Sequence, residues 1–389
     1  MRRVVESFTL SLTCVGSSRK AILLPGHGRM ASISMHLSEY DTCRLPMPGA
    51  ARYDAPTELM LDGGKFEEAG GRTLGDFVSC YCPRLCKLDV CSPTGLPQLV
   101  IRSETLEELS LFLAEDLRTL DVRAPSMRVL KLQLCFAEPE SFDTDGQGTS
   151  NMARIMAPRL EEIAMRNYGG RRRPKLEIHD MASVRRLGKV VFLDMHGPYC
   201  LDVDGSFWLL ENCRGVEHVS VSLYHRGGCA ATHRDLVDLT SQGAAPFDNV
   251  TTMAIRAPNL SERHLNRRWL LRCFCDEVDP WKFHRKFSLG SLEEVTIRGF
   301  LGADEDMELL ALLFEGSNSI MSVTLHAVPL FPAHVSLERM LAEEDEKDTE
   351  STAQKLTNIP YTDRGYWHFG KDATWTCYGT ENAIGRHAC

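Results

Sequence analysis

The residues in this chain best placed to do chemistry are cysteines. Cys80, Cys82, Cys86 and Cys91 run as C-x-C-x3-C-x4-C, and Cys273 and Cys275 form C-x-C. Closely spaced thiolates can hold zinc, so a metal-binding protein or an enzyme built on Cys80–Cys91 is one reading. The spacing contains no C-x2-C pair, and no histidine pair lies near. The other reading is that these cysteines are small apolar residues buried in a reducing compartment. Fourteen cysteines among 389 residues are too dilute for a disulfide scaffold, and the spacing favours burial.

Other candidates are weaker. LDVDGSF (201–207) carries Asp202 and Asp204, but Phe207 and Trp208 stand where a calcium loop needs polar ligands, so an ordinary turn is expected. His218 lies in a strand-like pattern, where a lone histidine is more often structural than a ligand or base. Gly-rich phosphate loops, G-x-S-x-G and H-E-x-x-H are absent from the sequence. No catalytic, cofactor-binding or metal-ligating residue is assigned. No cofactor is expected, and the chain is not expected to be an enzyme.

The cysteine run lies across a recurring pattern, apolar-x-x-apolar-x-apolar. It appears as Leu85, Leu88, Val90; Leu106, Leu109, Leu111; Leu117, Leu120, Val122; Met127, Leu130, Leu132; and Leu160, Ile163, Met165. It returns as Val216, Val219, Val221; Val250, Met253, Ile255; Leu292, Val295, Ile297; and Ile320, Val323, Leu325. Copies starting at 85, 106 and 127 are 21 residues apart. A period of roughly 20–29 residues with L-x-x-L-x-L is the signature of leucine-rich repeats. The expected fold is therefore α/β: a solenoid of short parallel strands, with irregular helices or extended segments on the outer side. No repeat can bury its apolar face alone, so neighbours bury each other.

Helical spacing is expected at Leu74, Phe77, Val78 and Tyr81, in SFWLLEN, and at Met307, Leu310, Ala311 and Phe314. The copies at 106 and 117 are too close for a helix between them, so both sides should be extended there. Loops are expected at 137–151 and 166–175, and 261–287 breaks the rhythm. The division expected is an irregular segment at 1–55, the solenoid at 56–288, a terminal repeat module at 289–330, and an acidic linker with an aromatic tail at 331–389. Tyr366, Trp367, Phe369 and Trp375 suggest that the tail packs on the last repeat.

A net charge of −9 argues against a nucleic-acid surface. RRRPK (171–175) reads as a solvated loop before a nuclear-import signal. No run of 18 apolar residues suggests a membrane span, and Glu6, Ser7 and Thr9 interrupt any signal-peptide core. The expected location is cytoplasmic and/or nuclear.

At 289–329, LGSLEEVTIRGFLGADEDMELLALLFEGSNSIMSVTLHAVP resembles the FBD-type module of plant F-box/leucine-rich-repeat proteins. The matching positions are Ile297, Gly299, Phe300, Gly302, Glu305, Leu309, Leu310, Leu313, Ile320 and Val323. CPRLCKLDV, SETLEELSL and DLRTLDVRAPSMRVLKL resemble the repeats of the same family, and RGYWHFGKDATWTC its C-terminal end. The resemblance implies a substrate-recognition scaffold of a cullin-type (SCF) ubiquitin ligase, with an unknown target protein. Such proteins open on an F-box that binds a Skp-type linker. Here Leu45-Pro46 is followed by MPGAARYD, and 1–55 shows no F-box. The Skp-type linker and cullin are expected partners only if an F-box lies upstream. The alternative is a repeat-type binding protein without a ligase role. Exposed strand positions such as Glu108, Ser110 and Phe112 should contact the partner, with no face assigned.

Overall fold

A period of two along a segment makes a strand with one apolar face, and an apolar residue three positions earlier can close the turn into it. The computed structural model describes residues 5–11, 21–23, 30–38, 40–45, 53–66, 73–137, 151–167, 173–194, 203–224, 248–256, 289–300, 304–327, 365–370 and 374–379. It is an α/β chain of mostly parallel strands with few helices among those residues. Two compact units form, one from Met1–Lys189 with Tyr199–Gly215, the other from Val190–Pro198 with Val216–Cys389.

The first unit begins with β1 (Val5–Ser11), β2 (Ala21–Leu23), β3 (Met30–His36), β4 (Thr42–Arg44), β5 (Glu58–Asp62) and β6 (Lys65–Phe66). Helix α1 (Leu74–Tyr81) follows, then β7 (Lys87–Cys91), β8 (Gln98–Arg102), β9 (Glu108–Phe112), β10 (Thr119–Arg123) and β11 (Val129–Gln133). It continues with β12 (Met152–Met156), β13 (Glu162–Arg166), β14 (Lys175–His179), the start of β15 (Arg186–Asp194) and α2 (Val203–Asn212). The chain alternates between sheets. Odd-numbered strands pair in the order β1-β3-β5-β7-β9-β11-β13-β15, while β8-β10-β12-β14 and β2-β4-β6 form separate sheets. The strand expected at 117–122 is β10, extended on the second sheet.

The registers turn the sequence pattern into columns. Leu59, Leu88, Leu109, Leu130, Ile163 and Leu187 align across the large sheet, as do Leu61, Val90, Leu111, Leu132 and Met165. All are buried, as are the turn residues Leu85, Leu106, Met127, Leu160 and Val184. The second sheet faces them with Ile101, Val122, Ile155 and Ile178 in register. Each such side chain contributes about 1.5–3 kcal/mol on burial, which only stacked neighbours can supply.

Two backbone devices recur. Before each strand, one carbonyl accepts two amides of the next turn: Cys86 O from Glu107 and Glu108, Glu107 O from Arg128 and Val129, Arg128 O from Glu161 and Glu162. After β5, β7, β9 and β11 the chain turns through positive φ at Gly63 (73°), Ser92 (47°), Leu113 (53°) and Leu134 (54°). Each of these residues donates its N–H to the last carbonyl of the next strand, respectively Cys91, Phe112, Gln133 and Arg166. Gly63 cannot carry a side chain, because a Cβ there would lie 2.1 Å from Leu37 O.

Helix α1 begins at a capping box between Thr73 and Asp76 and buries Leu74, Phe77 and Val78. It covers the edge of β8. Ser79 Oγ accepts the Arg102 N–H at 2.9 Å and donates to Gly75 O at 2.6 Å. Gly75 is needed for the approach, since a Cβ there would meet Val100 O at 2.0 Å.

The second unit contains β16 (His218–Tyr224), β17 (Thr252–Arg256), β18 (Glu294–Phe300), α3 (Asp304–Gly316), β19 (Ser322–Ala327), β20 (Gly365–Gly370) and β21 (Thr374–Gly379). Val219, Met253, Val295 and Val323 align, beside Val221, Ile255, Ile297 and Leu325. Gly299, at φ 89°, coincides with a register shift between Arg298 and Phe300. The aromatic tail supplies β20 and β21, and β21 pairs antiparallel with β19.

Three expectations are corrected. The strand series reaches into the segment 1–55 that was expected to be irregular. Met30, Ile33 and Met35 are buried there in the same spacing, written in methionine rather than leucine. The turn expected at LDVDGSF is instead the start of α2, with Asp204 in its first turn. The buried side of α3 holds Asp306, Leu310, Leu313 and Phe314, with Met307 and Ala311 half-buried. A search for apolar periodicity passes over Asp306. Asp202, Cys273, Cys275, Gly302, the interiors of both expected loops (138–150 and 168–172), and the stretches 261–287 and 331–364 lie outside the described residues.

Candidate interaction surfaces

The turn geometry accounts for Cys82. Leu85 N–H donates to Cys82 O, Met127 N–H to Ala124 O, and Leu160 N–H to Ala157 O, at 3.0–3.1 Å. Cys82-Pro83-Arg84-Leu85 is thus the same turn as Ala124-Pro125-Ser126-Met127 and Ala157-Pro158-Arg159-Leu160. The first residue is small and buried in all three. Burial pushes the Cys82 thiol up to about 12, and those of Cys43, Cys135 and Cys213 likewise. A thiol so raised is a poor ligand and a poor nucleophile.

The rest of the cysteine run is dispersed. Cys80 is exposed on α1, Cys86 precedes β7 and Cys91 ends it. Five strand steps separate those last two by about 16 Å. Burial raises both thiols first, and for Cys91 the neighbouring Asp62 adds to it. Among the described residues, no three of His, Cys, Asp and Glu group so as to hold a metal ion. His218 opens β16 and is half-buried.

The registers also assemble what the sequence does not announce. Ser34 Oγ lies 3.3 Å from His36 Nε2, and His36 Nδ1 lies 3.0 Å from Asp62 Oδ2. Ser34 and His36 share one face of β3, and Asp62 stands opposite His36 on β5. A serine, an imidazole and a carboxylate in this order form a nucleophile relay when donors wait for the oxyanion. The nearby amides are committed elsewhere: Leu37 N–H donates to Asp62 O and Gly63 N–H to Cys91 O. His36 and Asp62 side chains are each 39% exposed, on an open sheet face. The chain of bonds therefore acts as a cross-strand clasp. Only the pairing of β3 with β5, 26 residues apart in sequence, could have revealed it.

The outer face of the large sheet is a grid. One column reads Glu58, Lys87, Glu108, Val129, Glu162 and Arg186; the next reads Met60, Asp89, Ser110, Lys131, Ala164 and Gly188; the third reads Asp62, Cys91, Phe112, Gln133 and Arg166. The positions named from the sequence, Glu108, Ser110 and Phe112, are all half-buried on this face, while Leu109 and Leu111 point inward. Glu108 sits at its centre, 2.6 Å from Lys131 Nζ and 3.5 Å from Lys87 Nζ. Burial raises its carboxyl, but the two lysines outweigh that and hold it below the usual carboxylate range.

A second surface lies where the turns enter the strands. Glu107, Ser126, Arg128, Pro158, Arg159, Glu161 and Ser183 line an open groove of about 530 Å³. Arg128 Nε and Nη2 donate to Glu161 Oε1 and Oε2 at 3.0 and 2.7 Å. That fork lowers the Glu161 carboxyl and raises the Arg128 guanidinium. Both side chains are about half exposed, so solvent screens the pair.

No helix among the described residues is long and apolar enough to cross a membrane. Comparison of the chain with family models, with curated proteins and with solved structures gave no match.

Proposed function

We propose that this chain is a leucine-rich-repeat solenoid that works as a protein-interaction scaffold, in the manner of the substrate-recognition part of F-box/LRR adaptors of cullin-type ubiquitin ligases. The supporting observation is the grid on the large sheet. Its apolar columns fix the backbone from behind, and its outer columns present Glu58 to Arg186, Met60 to Gly188 and Asp62 to Arg166 at register. Rungs spaced about 4.8 Å apart can change side chain by side chain without disturbing the fold. Catalysis is no part of the reading, and neither a cofactor, a nucleic acid nor a membrane is needed for it. The location that goes with it is cytoplasmic and/or nuclear.

The family resemblance at 289–329 adds delivery of the target to a ligase. The alternative is the same scaffold as a binding protein without a ligase role. Affinity purification of the endogenous protein, with mass spectrometry of what is recovered, separates the two. A Skp-type linker and a cullin should co-purify in the first case, and neither in the second. Ser110→Arg and Phe112→Ala should each lose the target in either case, with circular dichroism showing that the fold is retained. Retention of every partner by both variants would remove the large-sheet face from the proposal.

A further inference from the structure

We infer that Arg256, Arg298 and His326, side by side on the outer face of β17, β18 and β19, form a binding site for a phosphate monoester, carried as phosphoserine or phosphothreonine on a peptide segment of a partner protein. The site lies within the second unit. It goes beyond the scaffold reading and stands whether or not the face around Glu108 in the first unit takes a target.

The registers put the three side chains in one row. Arg256 stands opposite Arg298, and Arg298 opposite His326. Their neighbours Ile255, Ile297 and Leu325 are buried, so the row faces outward. Both arginines are exposed, and His326 is half-buried. Adjacent strands lie about 4.8 Å apart, close enough for two guanidinium groups to meet over one small ligand. The next outward column is Ala254, Thr296 and Thr324, whose side chains are too short to fill the space above the row. Just beyond the row, β18 carries its register shift, an irregularity that re-aims neighbouring side chains.

Like charges directly opposite each other destabilise a sheet. Elsewhere the registers relieve them. Lys87 faces Glu108, Arg154 faces Glu177 and Glu162 faces Arg186. Arg102 faces Arg123, but its Nη2 lies 2.6 Å from Asp121 Oδ2. Arg256 and Arg298 have no such relief, since neither has an ion-pair partner among the described residues. The carboxylate on the outward side of β17–β19 is Glu294, at the far end of β18 and about 13 Å along the strand from Arg298. An anion between the two arginines turns their repulsion into attraction.

A phosphate monoester suits the row best. It carries about −1.5 to −2 charges at neutral pH and three strong acceptor oxygens, enough for two arginine forks and an imidazole N–H. A carboxylate has one charge and is satisfied by a single fork. Small free ligands bind in concave sites that bury most of their surface. Exposed arginines on a sheet face give little such burial, whereas a peptide adds contacts along the hydroxyls of Thr296 and Thr324.

Fluorescence anisotropy of the full chain tests this, with a labelled peptide pool that has phosphoserine between degenerate flanks. That pool should bind about ten-fold tighter than the same pool with serine or glutamate at the centre. Arg256→Gln and Arg298→Gln should each weaken the phosphoserine pool about ten-fold and leave the serine pool unchanged, with circular dichroism showing that the fold is retained. Ser110→Arg, on the first unit, should leave phosphoserine binding as it was, which separates this site from the scaffold face. Equal binding of the phosphoserine and serine pools overturns the inference, as does binding indifferent to both arginine variants. A glutamate pool that binds as tightly assigns the row to acidic peptides and overturns it too. So does inorganic phosphate that competes as tightly as the phosphoserine pool, since the row then takes a free anion.

Discussion

At the scale of the residue, the cysteines show how a reactive side chain can be enlisted for its size. Cys82 occupies the place that Ala124 and Ala157 take in equivalent turns, and burial lifts its thiol to about 12. Alkylation of the native protein should therefore modify exposed Cys80 readily and spare Cys43, Cys82, Cys135 and Cys213 until denaturant is added. Peptide mapping by mass spectrometry reads this, and rapid labelling of Cys82 in native protein would contradict its placement. Glu108 shows the opposite case, a charge held by its neighbours. Its folded carboxyl lies below the ordinary value, so the protonated form is disfavoured in the fold. That contribution is fully present above the unfolded carboxylate value and is lost as pH falls through the folded value. Glu108→Gln should cost less than about 1 kcal/mol at neutral pH, because the site is partly solvated. The difference should narrow as pH falls below the ordinary carboxylate range, measured as urea midpoints of both proteins. A gap that widens toward acid would mean that the lysines do not hold the carboxylate.

At the scale of the element, each strand is specified by three apolar residues and each edge by what covers it. Leu109 is fully buried between Leu88 and Leu130. Leu109→Ala should cost about 2–5 kcal/mol in denaturant unfolding, and an unchanged midpoint would sink the register. Helix α1 depends on a close approach instead. Gly75→Ala drives a methyl into Val100 O, so α1 must lift or β8 must shift. The expected cost is about 1–3 kcal/mol. Hydrogen exchange should rise first at the Arg102 amide, which relies on Ser79. Unaltered protection there would show that α1 does not close the edge of β8.

At the scale of the molecule, the parallel columns make stability a sum over neighbours. Leu59 and Ile163 lie in one column with three strands between them, about 19 Å apart. Leu59→Ala and Ile163→Val should therefore add in a double variant to within about 0.5 kcal/mol. Leu88→Ala with Leu109→Ala, on adjacent strands, should depart from additivity, since the two share one cavity. Coupling as strong across three strands as across one would mean that the columns are not organised by nearest neighbours.

Much of this was legible in the sequence. The spacing of Leu106, Leu109 and Leu111 fixes which side chains face inward, because a period of two allows one assignment of faces. The helices at 74–81 and in SFWLLEN follow from apolar spacing, and the aromatic tail, expected to be ordered against the last repeat, pairs through β21 with β19. The sequence did not announce the strands before residue 45, since Met30 and Met35 carry the pattern in place of leucine. Nor did it announce that α2 starts as early as Val203, inside the expected turn, or the polar Asp306 on the inner side of α3. What only the tertiary structure decided is which strands are neighbours. The chain alternates between sheets, so β3 meets β5 and β9 meets β11, 21 to 26 residues apart. That pairing creates the clasp of Ser34, His36 and Asp62 and the lysines around Glu108. Local periodicity determines the face a residue takes. Its neighbours across the sheet depend on register, which is set by contacts far along the chain.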